Sequence, residues 1–249
     1  MDDDFLLALC HQVADVVPGA LSQVADLTAS GQRAGQYALD LAADAAVLEV
    51  LDQPGIGVLS EESGLHRPGS SLMAVVDPVD GSTNASRGIP WYATSICILD
   101  DVGPRAAVVA NLPTGERYHA VRGGGAWRDG TRITPSSCTE MRRAIVALSG
   151  YPPRHLGWAQ FRALGSAALE MCAVADGLLD VFSVAGRAHL APWDYLGAML
   201  LCTEAGATVI DLDGAELVTT EFSARRAVAA AATPALMAQL QAAAPVGER

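Results

Sequence analysis

Basic residues are scarce in this chain. Arg and Lys number 16 against 28 Asp and Glu in 249 residues, a formal net charge of −12. A field of that sign disfavours nucleic-acid polymers and anionic membranes as partners. It would also repel a small anionic ligand, unless a bound cation reversed the sign locally. Cysteines are few and unmatched: Cys10, Cys97, Cys138, Cys172 and Cys202 make an odd number with no C-x-x-C pair. That excludes a disulfide framework and a zinc cluster, and leaves buried free thiols as the expectation. No run of 18 uncharged apolar residues occurs, and Met1-Asp2-Asp3-Asp4 carries no basic n-region. No membrane span and no signal peptide are expected, and a cytoplasmic location is.

What is abundant is apolar side chain, 51% of the total. That suffices for one large domain or two modest ones. Helical periodicity runs over residues 3–17 and about 36–52, with Leu6, Leu9, Val13 and Val17 on one stripe. Strands are expected at 56–59, 72–76, 93–99, 106–110 and 118–121. A hairpin should turn at Asp129-Gly130. The polar stretch Pro135 to Thr139 is the expected domain boundary, dividing 1–136 from 137–249. Beyond it, strands are expected at 145–148, 178–182, 207–210 and 228–232. Helices are expected over about 166–176 and 194–205, with a last one opened by Thr233-Pro234. Strands mixed with helices in both halves predict an α/β or α+β class. Gly123-Gly124-Gly125 lacks the Lys of a P-loop and precedes no helix, so it reads as structural.

The most informative run is Asp77-Pro78-Val79-Asp80-Gly81-Ser82-Thr83-Asn84. It follows Leu72-Met73-Ala74-Val75-Val76, a short apolar run rich in β-branched residues that reads as a buried strand. Pro78 cannot donate to a ladder, so the strand is expected to stop there. Two carboxylates three residues apart suit a hard cation such as Mg²⁺. Backbone N–H groups at a Gly-Ser-Thr turn suit a phosphate. Cation and phosphate side by side point to phosphoryl chemistry. The D-x-x-D spacing differs from the D-x-D of aspartyl-nucleophile phosphatases, which argues against a phosphoenzyme. Taken singly, each piece has a plainer reading. Asp, Pro and Gly are turn residues; Glu61 and Glu62 close a strand as a solvated pair; Asp194 before a helix is an N-cap.

Together these residues resemble the inositol monophosphatase family, Mg²⁺-dependent and Li⁺-sensitive small-molecule phosphatases. The resemblance rests on Ser60-Glu61-Glu62-Ser63, Asp77 to Asn84, Gly123 to Ala126, Leu164-Gly165-Ser166-Ala167-Ala168, and Pro192-Trp193-Asp194 with Glu204-Ala205-Gly206-Ala207. It implies a layered α-β-α-β-α sandwich with the site between two parts, and a homodimer. It implies metal ligands at Glu61, Asp77, Asp80 and Asp194 with the Val79 carbonyl, holding two or three Mg²⁺. Ser82 would help activate the attacking water. Asp44 would be its acidic partner, with Asp40 competing for that role, because Tyr37 to Leu41 departs from the family's Asp-x-x-Thr. Gly81, Ser82 and Thr83 would hold phosphate, and Gly165, Ser166 and Ala167 would line the substrate side.

The implied activity is direct in-line hydrolysis of a small phosphorylated metabolite, a sugar or polyol phosphate first. Histidinol phosphate or a nucleotide is the alternative, and a non-catalytic binding protein is the rival from another class. The family's acidic residue before Trp-Asp is missing. Phe182 to Ala191 offers Ser183, Arg187 and His189 instead. Four Phe and four Trp give little encouragement to an aromatic clamp for a base.

Overall fold

The structure is a computed structural model and describes residues 1–33, 35–186 and 188–243. Helix α1 (Asp3–Ser22) starts where the Asp2 carboxylate accepts from the Phe5 amide at 2.9 Å. Its buried stripe, Leu6, Leu9, Cys10, Val13, Ala14 and Val17, follows the helical period. The helix carries through Pro18 to Ser22, past the expected end at 17. It packs beside α2 (Ala38–Val50).

These two helices cover one face of an eight-stranded sheet. In chain order its strands are β1 (Ile56–Ser60), β2 (Gly64–His66), β3 (Leu72–Asp80), β4 (Ala93–Asp100), β5 (Gly103–Asn111), β6 (Arg117–Val121), β7 (Gly125–Arg128) and β8 (Thr131–Arg132). They lie in the order β2-β1-β3-β4-β5-β6-β7-β8. Only the β1–β3 pair is parallel. The expected hairpin forms, with Asp129 and Gly130 both at positive φ. Helix α3 (Ser82–Arg87) follows β3, where sequence reading expected only a turn.

A two-residue period makes the sheet two-faced. Ile96 and Ile98 of β4 join the core under α1 and α2, while Cys97 and Leu99 join the opposite one. That second core is filled by α4 (Ala167–Ala175) and α5 (Pro192–Ala205). Beyond them lies a five-stranded mixed sheet of β9 (Ile145–Gly150), β10 (Gln160–Arg162), β11 (Val181–Ala185), β12 (Thr208–Asp211) and β13 (Val228–Ala231), ordered β10-β9-β11-β13-β12. Strand β11 sits three residues later than expected. Helix α6 (Pro234–Ala243) packs on β13. The layers are therefore helices, sheet, helices, sheet, helix, as expected. All five cysteines are free, and four are buried.

Candidate active site

The site starts from a fault in β3. Asp77 pairs with Ser95 and Asp80 with Ala93, so Pro78 and Val79 stand opposite the single residue Thr94. This is a β-bulge. The Thr94 hydroxyl closes it by donating to the Pro78 carbonyl at 2.9 Å. The strand therefore does not stop at Pro78 but runs to Asp80, because the bulge takes the proline out of the ladder. The bulge also takes Val79 out of regular pairing.

Three carboxylates meet here. Oxygens of Glu61, Asp77 and Asp194 lie within 4.8 Å of one another. Glu61 follows the end of β1. Asp77 shares a face of β3 with Val75, the face covered by the α4–α5 layer. Asp194 is the third residue of α5, which starts at Pro192 rather than at Asp194. Pro fits the first helical position, and Asp194 Oδ2 accepts from the Ala191 amide at 2.7 Å. Burial first, then mutual repulsion, pushes Asp77 and Asp194 well above the ordinary carboxylate range and raises Glu61. Crowded acids of this kind, all oxygen donors, fit a hard divalent cation that would offset their repulsion.

Asp80 stands beside this group. Its Oδ2 accepts from the Ser166 hydroxyl at 2.6 Å and the Ala168 amide at 2.8 Å, so it ties β3 to the start of α4. Gly81 has φ +91°, and a Cβ there would lie 2.9 Å from the Gly165 carbonyl. Gly165 has φ +87° and packs on Asn84, whose amide donates to the Trp91 and Leu164 carbonyls at 2.7 Å each. A side chain at Gly81 would part these backbones, and one at Gly165 would be strained in the left-handed region and crowd the Asn84 amide. Among the described residues, the amides of Gly81, Ser82 and Thr83 meet no acceptor.

The two candidate partners of Ser82 separate. Asp44 is buried and accepts from the Ser60 hydroxyl. Asp40 accepts from the Tyr37 amide at 2.8 Å. Burial raises Asp40 to about 6, while the Tyr37 amide and the Ser82 hydroxyl pull it down. Of the two, Asp40 is the acid that the Ser82 hydroxyl lowers, and Asp44 sits one helical turn further along α2. Glu62, beside Glu61, is held by Arg33 at 3.0 Å and by Gln36.

Asp80 and Asp194 line a cavity of about 310 Å³ together with Gly165, Ser166, Ala167 and Leu190. Glu170, absent from the sequence reading, lines it too. It is 1% exposed, and its Oε1 accepts from the Leu164 amide at 2.7 Å. Desolvation raises it to about 8. Its position in the first turn of an apolar helix was the only available signal. Ser183 lies elsewhere, buried and donating to the Val184 carbonyl at 2.8 Å. His189 faces Asp213 at 3.8 Å. Arg187 lies outside the described residues. The Gly123-Gly124-Gly125 turn is structural, with the Glu204 carboxylate accepting from the Gly123 and Gly125 amides at 2.8 and 2.9 Å.

Comparison with known proteins adds to this geometry. The inositol monophosphatase family profile matches residues 3–245. A fructose-1,6-bisphosphatase/inositol-1-monophosphatase of Archaeoglobus fulgidus is 33% identical over 232 residues, covering 89% of this chain and 90% of that protein. Nus factor SuhB of Escherichia coli is 32% identical over 194 residues, 71% of each. The solved structure of extragenic suppressor protein suhB from Bartonella henselae superposes with a TM-score of 0.83 at 25% identity, covering 98% of this chain and 99% of that one.

Proposed function

This chain belongs to the inositol monophosphatase family, and on that premise we propose that it is a Mg²⁺-dependent phosphomonoesterase acting on a small sugar or polyol phosphate. One observation carries the reading. Three converging carboxylates lie beside a turn whose three amides meet no acceptor among the described residues. Acids call for a cation, and open amides for an anion. Glu61, Asp77 and Asp194, with Asp80 and the Val79 carbonyl, would hold two or three Mg²⁺.

Bound Mg²⁺ supplies a lowered water pKa, neutralised phosphate charge and a stabilised leaving oxygen. The chain's own residues position the reactants, which is most of what phosphoryl transfer asks of a protein. The amides of Gly81, Ser82 and Thr83 orient the phosphoryl oxygens. The Ser82 hydroxyl passes its proton toward Asp40 and accepts one from the attacking water. Water attacks phosphorus in line, the ester P–O bond breaks, and the leaving oxygen takes up a proton from a solvent water. Gly165, Ser166 and Ala167 border the alcohol side. No side chain is phosphorylated, so trapping a phosphoprotein would overturn the mechanism.

The test is phosphate release from sugar, polyol, amino-alcohol and nucleotide phosphates, with and without Mg²⁺. A catalyst releases phosphate only with the cation. A binding module shows a Mg²⁺-dependent rise in Tm but no release from any ester.

A further inference from the structure

The carboxylate cavity shares a wall with another. Leu148, Gly150 and Ala163 line it and also line a second cavity of about 200 Å³. Joined, the two fall within the range of about 300–1,000 Å³ usual for small-molecule sites. The second cavity is built from the loop between β9 and β10. Tyr151, Pro152 and Pro153 open it, and Trp158 and Phe161 close it. The Trp158 ring lies 4.4 Å from His155 and 6.1 Å from Phe161, centroid to centroid. Trp158 is 8% exposed, whereas Phe161 is 53% and Tyr151 84% exposed. Few aromatic residues occur in this protein, yet three bulky rings gather here, and two of them add little to the core.

Resting on the phosphomonoesterase reading, we propose that this slot is a leaving-group subsite for a planar aromatic ring. The phosphoryl group would sit at the Asp80–Asp194 end of the first cavity. The alcohol then extends past Gly150 and Ala163, and a ring attached to it enters between Tyr151, Trp158 and Phe161. Flat rings stack on aromatic side chains with little dependence on their substituents. The slot is concave and shares Leu148, Gly150 and Ala163 with the reaction cavity, which suits a small ring better than a second protein surface. A nucleoside phosphate and an imidazolyl-alkyl phosphate both bring such a ring.

The test compares wild type with Phe161→Ala and, as a second exposed position, Tyr151→Ala. Substrates are a nucleoside monophosphate, an imidazolyl-alkyl phosphate and glycerol phosphate, all with Mg²⁺. Whichever ring-bearing ester is preferred identifies the source of the ring. In the variants, kcat/KM for that ester should fall about tenfold relative to glycerol phosphate, through KM. An unchanged ratio overturns the subsite and leaves the phosphatase standing. Binding of the free alcohols, followed by Trp fluorescence, decides independently of turnover. A ring-bearing alcohol should bind and glycerol should not, and Phe161→Ala should weaken the former about tenfold. If the variants alter only the oligomeric state in sedimentation, the rings are a protein interface and the proposal fails.

Discussion

Two glycine turns in this protein look alike and do opposite things. Gly123-Gly124-Gly125 joins β6 to β7; Glu204 accepts from the Gly123 and Gly125 amides, and the Val121 carbonyl accepts from that of Gly124. Gly81-Ser82-Thr83 joins β3 to α3, and its amides meet no acceptor among the described residues. A third segment, at Leu164, has a filling carboxyl in Glu170. A turn that carries its own anion is scaffold, and one left open beside convergent acids has amides to offer an anion from outside. Glycine content alone would have ranked the scaffold turn first.

The largest effect should come from the open turn's neighbour. Asp80→Asn keeps an oxygen for the Ser166 hydroxyl and the Ala168 amide but removes the charge. Mg²⁺-dependent phosphate release should drop by about two to three orders of magnitude, with Tm within a few degrees of wild type in the absence of Mg²⁺. Next, Asp40→Asn should lower kcat about a hundredfold. Asp44→Asn should instead lower Tm and leave kcat within a few-fold. Equal kinetic effects from the two would mean that Ser82 does not act through Asp40.

The filled segments should answer in stability. Folded, Glu170 keeps its proton to about pH 8, against 4.5 for the ordinary group. Between those values the native state holds more protons, so stability falls as pH rises. Urea unfolding from pH 5 to pH 8 should show a decline of at most a few kcal/mol that Glu170→Gln flattens. A variant with the wild-type slope would remove Glu170 as its source. The smallest effect is expected from Glu204→Gln. It keeps one acceptor for two amides, so it should cost about 1–2 kcal/mol of stability and leave kcat/KM unchanged. A loss of turnover there would break the contrast between the turns.

Much of this was legible in the chain. Long apolar runs such as Ala93 to Leu99 are strands buried on both faces, and their residue types say so. Glu61, Asp77 and Asp194, which the fold brings together, and the glycine turn stood out because carboxylates and glycine at strand ends are what a cation and a phosphate would ask for. Short elements were not. Strands β2 and β10 have three residues each, and α3 is six residues between two glycines in the left-handed region. Such pieces exist because of what they pack against. Asp40 and Asp44 could not be ranked by spacing, since four residues put both on one side of a helix. The bulge at Pro78 reversed a sound local rule, because a proline excluded from a regular ladder is at home in a fault. Composition understated the aromatic slot, since a percentage does not show where the loop between β9 and β10 gathers its rings.

One detail of the carboxylate group bears on which ion it would accept. Asp77 Oδ1 is engaged by the Val79 amide at 2.9 Å, Asp80 Oδ2 by Ser166 and Ala168, and Asp194 Oδ2 by the Ala191 amide. Each of the three acids thus has one oxygen engaged and the other without such a donor. Ca²⁺ gathers roughly six to eight oxygens and often grips both from one carboxylate, whereas the smaller Mg²⁺ takes single oxygens and keeps several waters. Choice between two ions of equal charge would then be written not in the acids themselves but in the donors, three of them backbone amides, that occupy one oxygen of each acid.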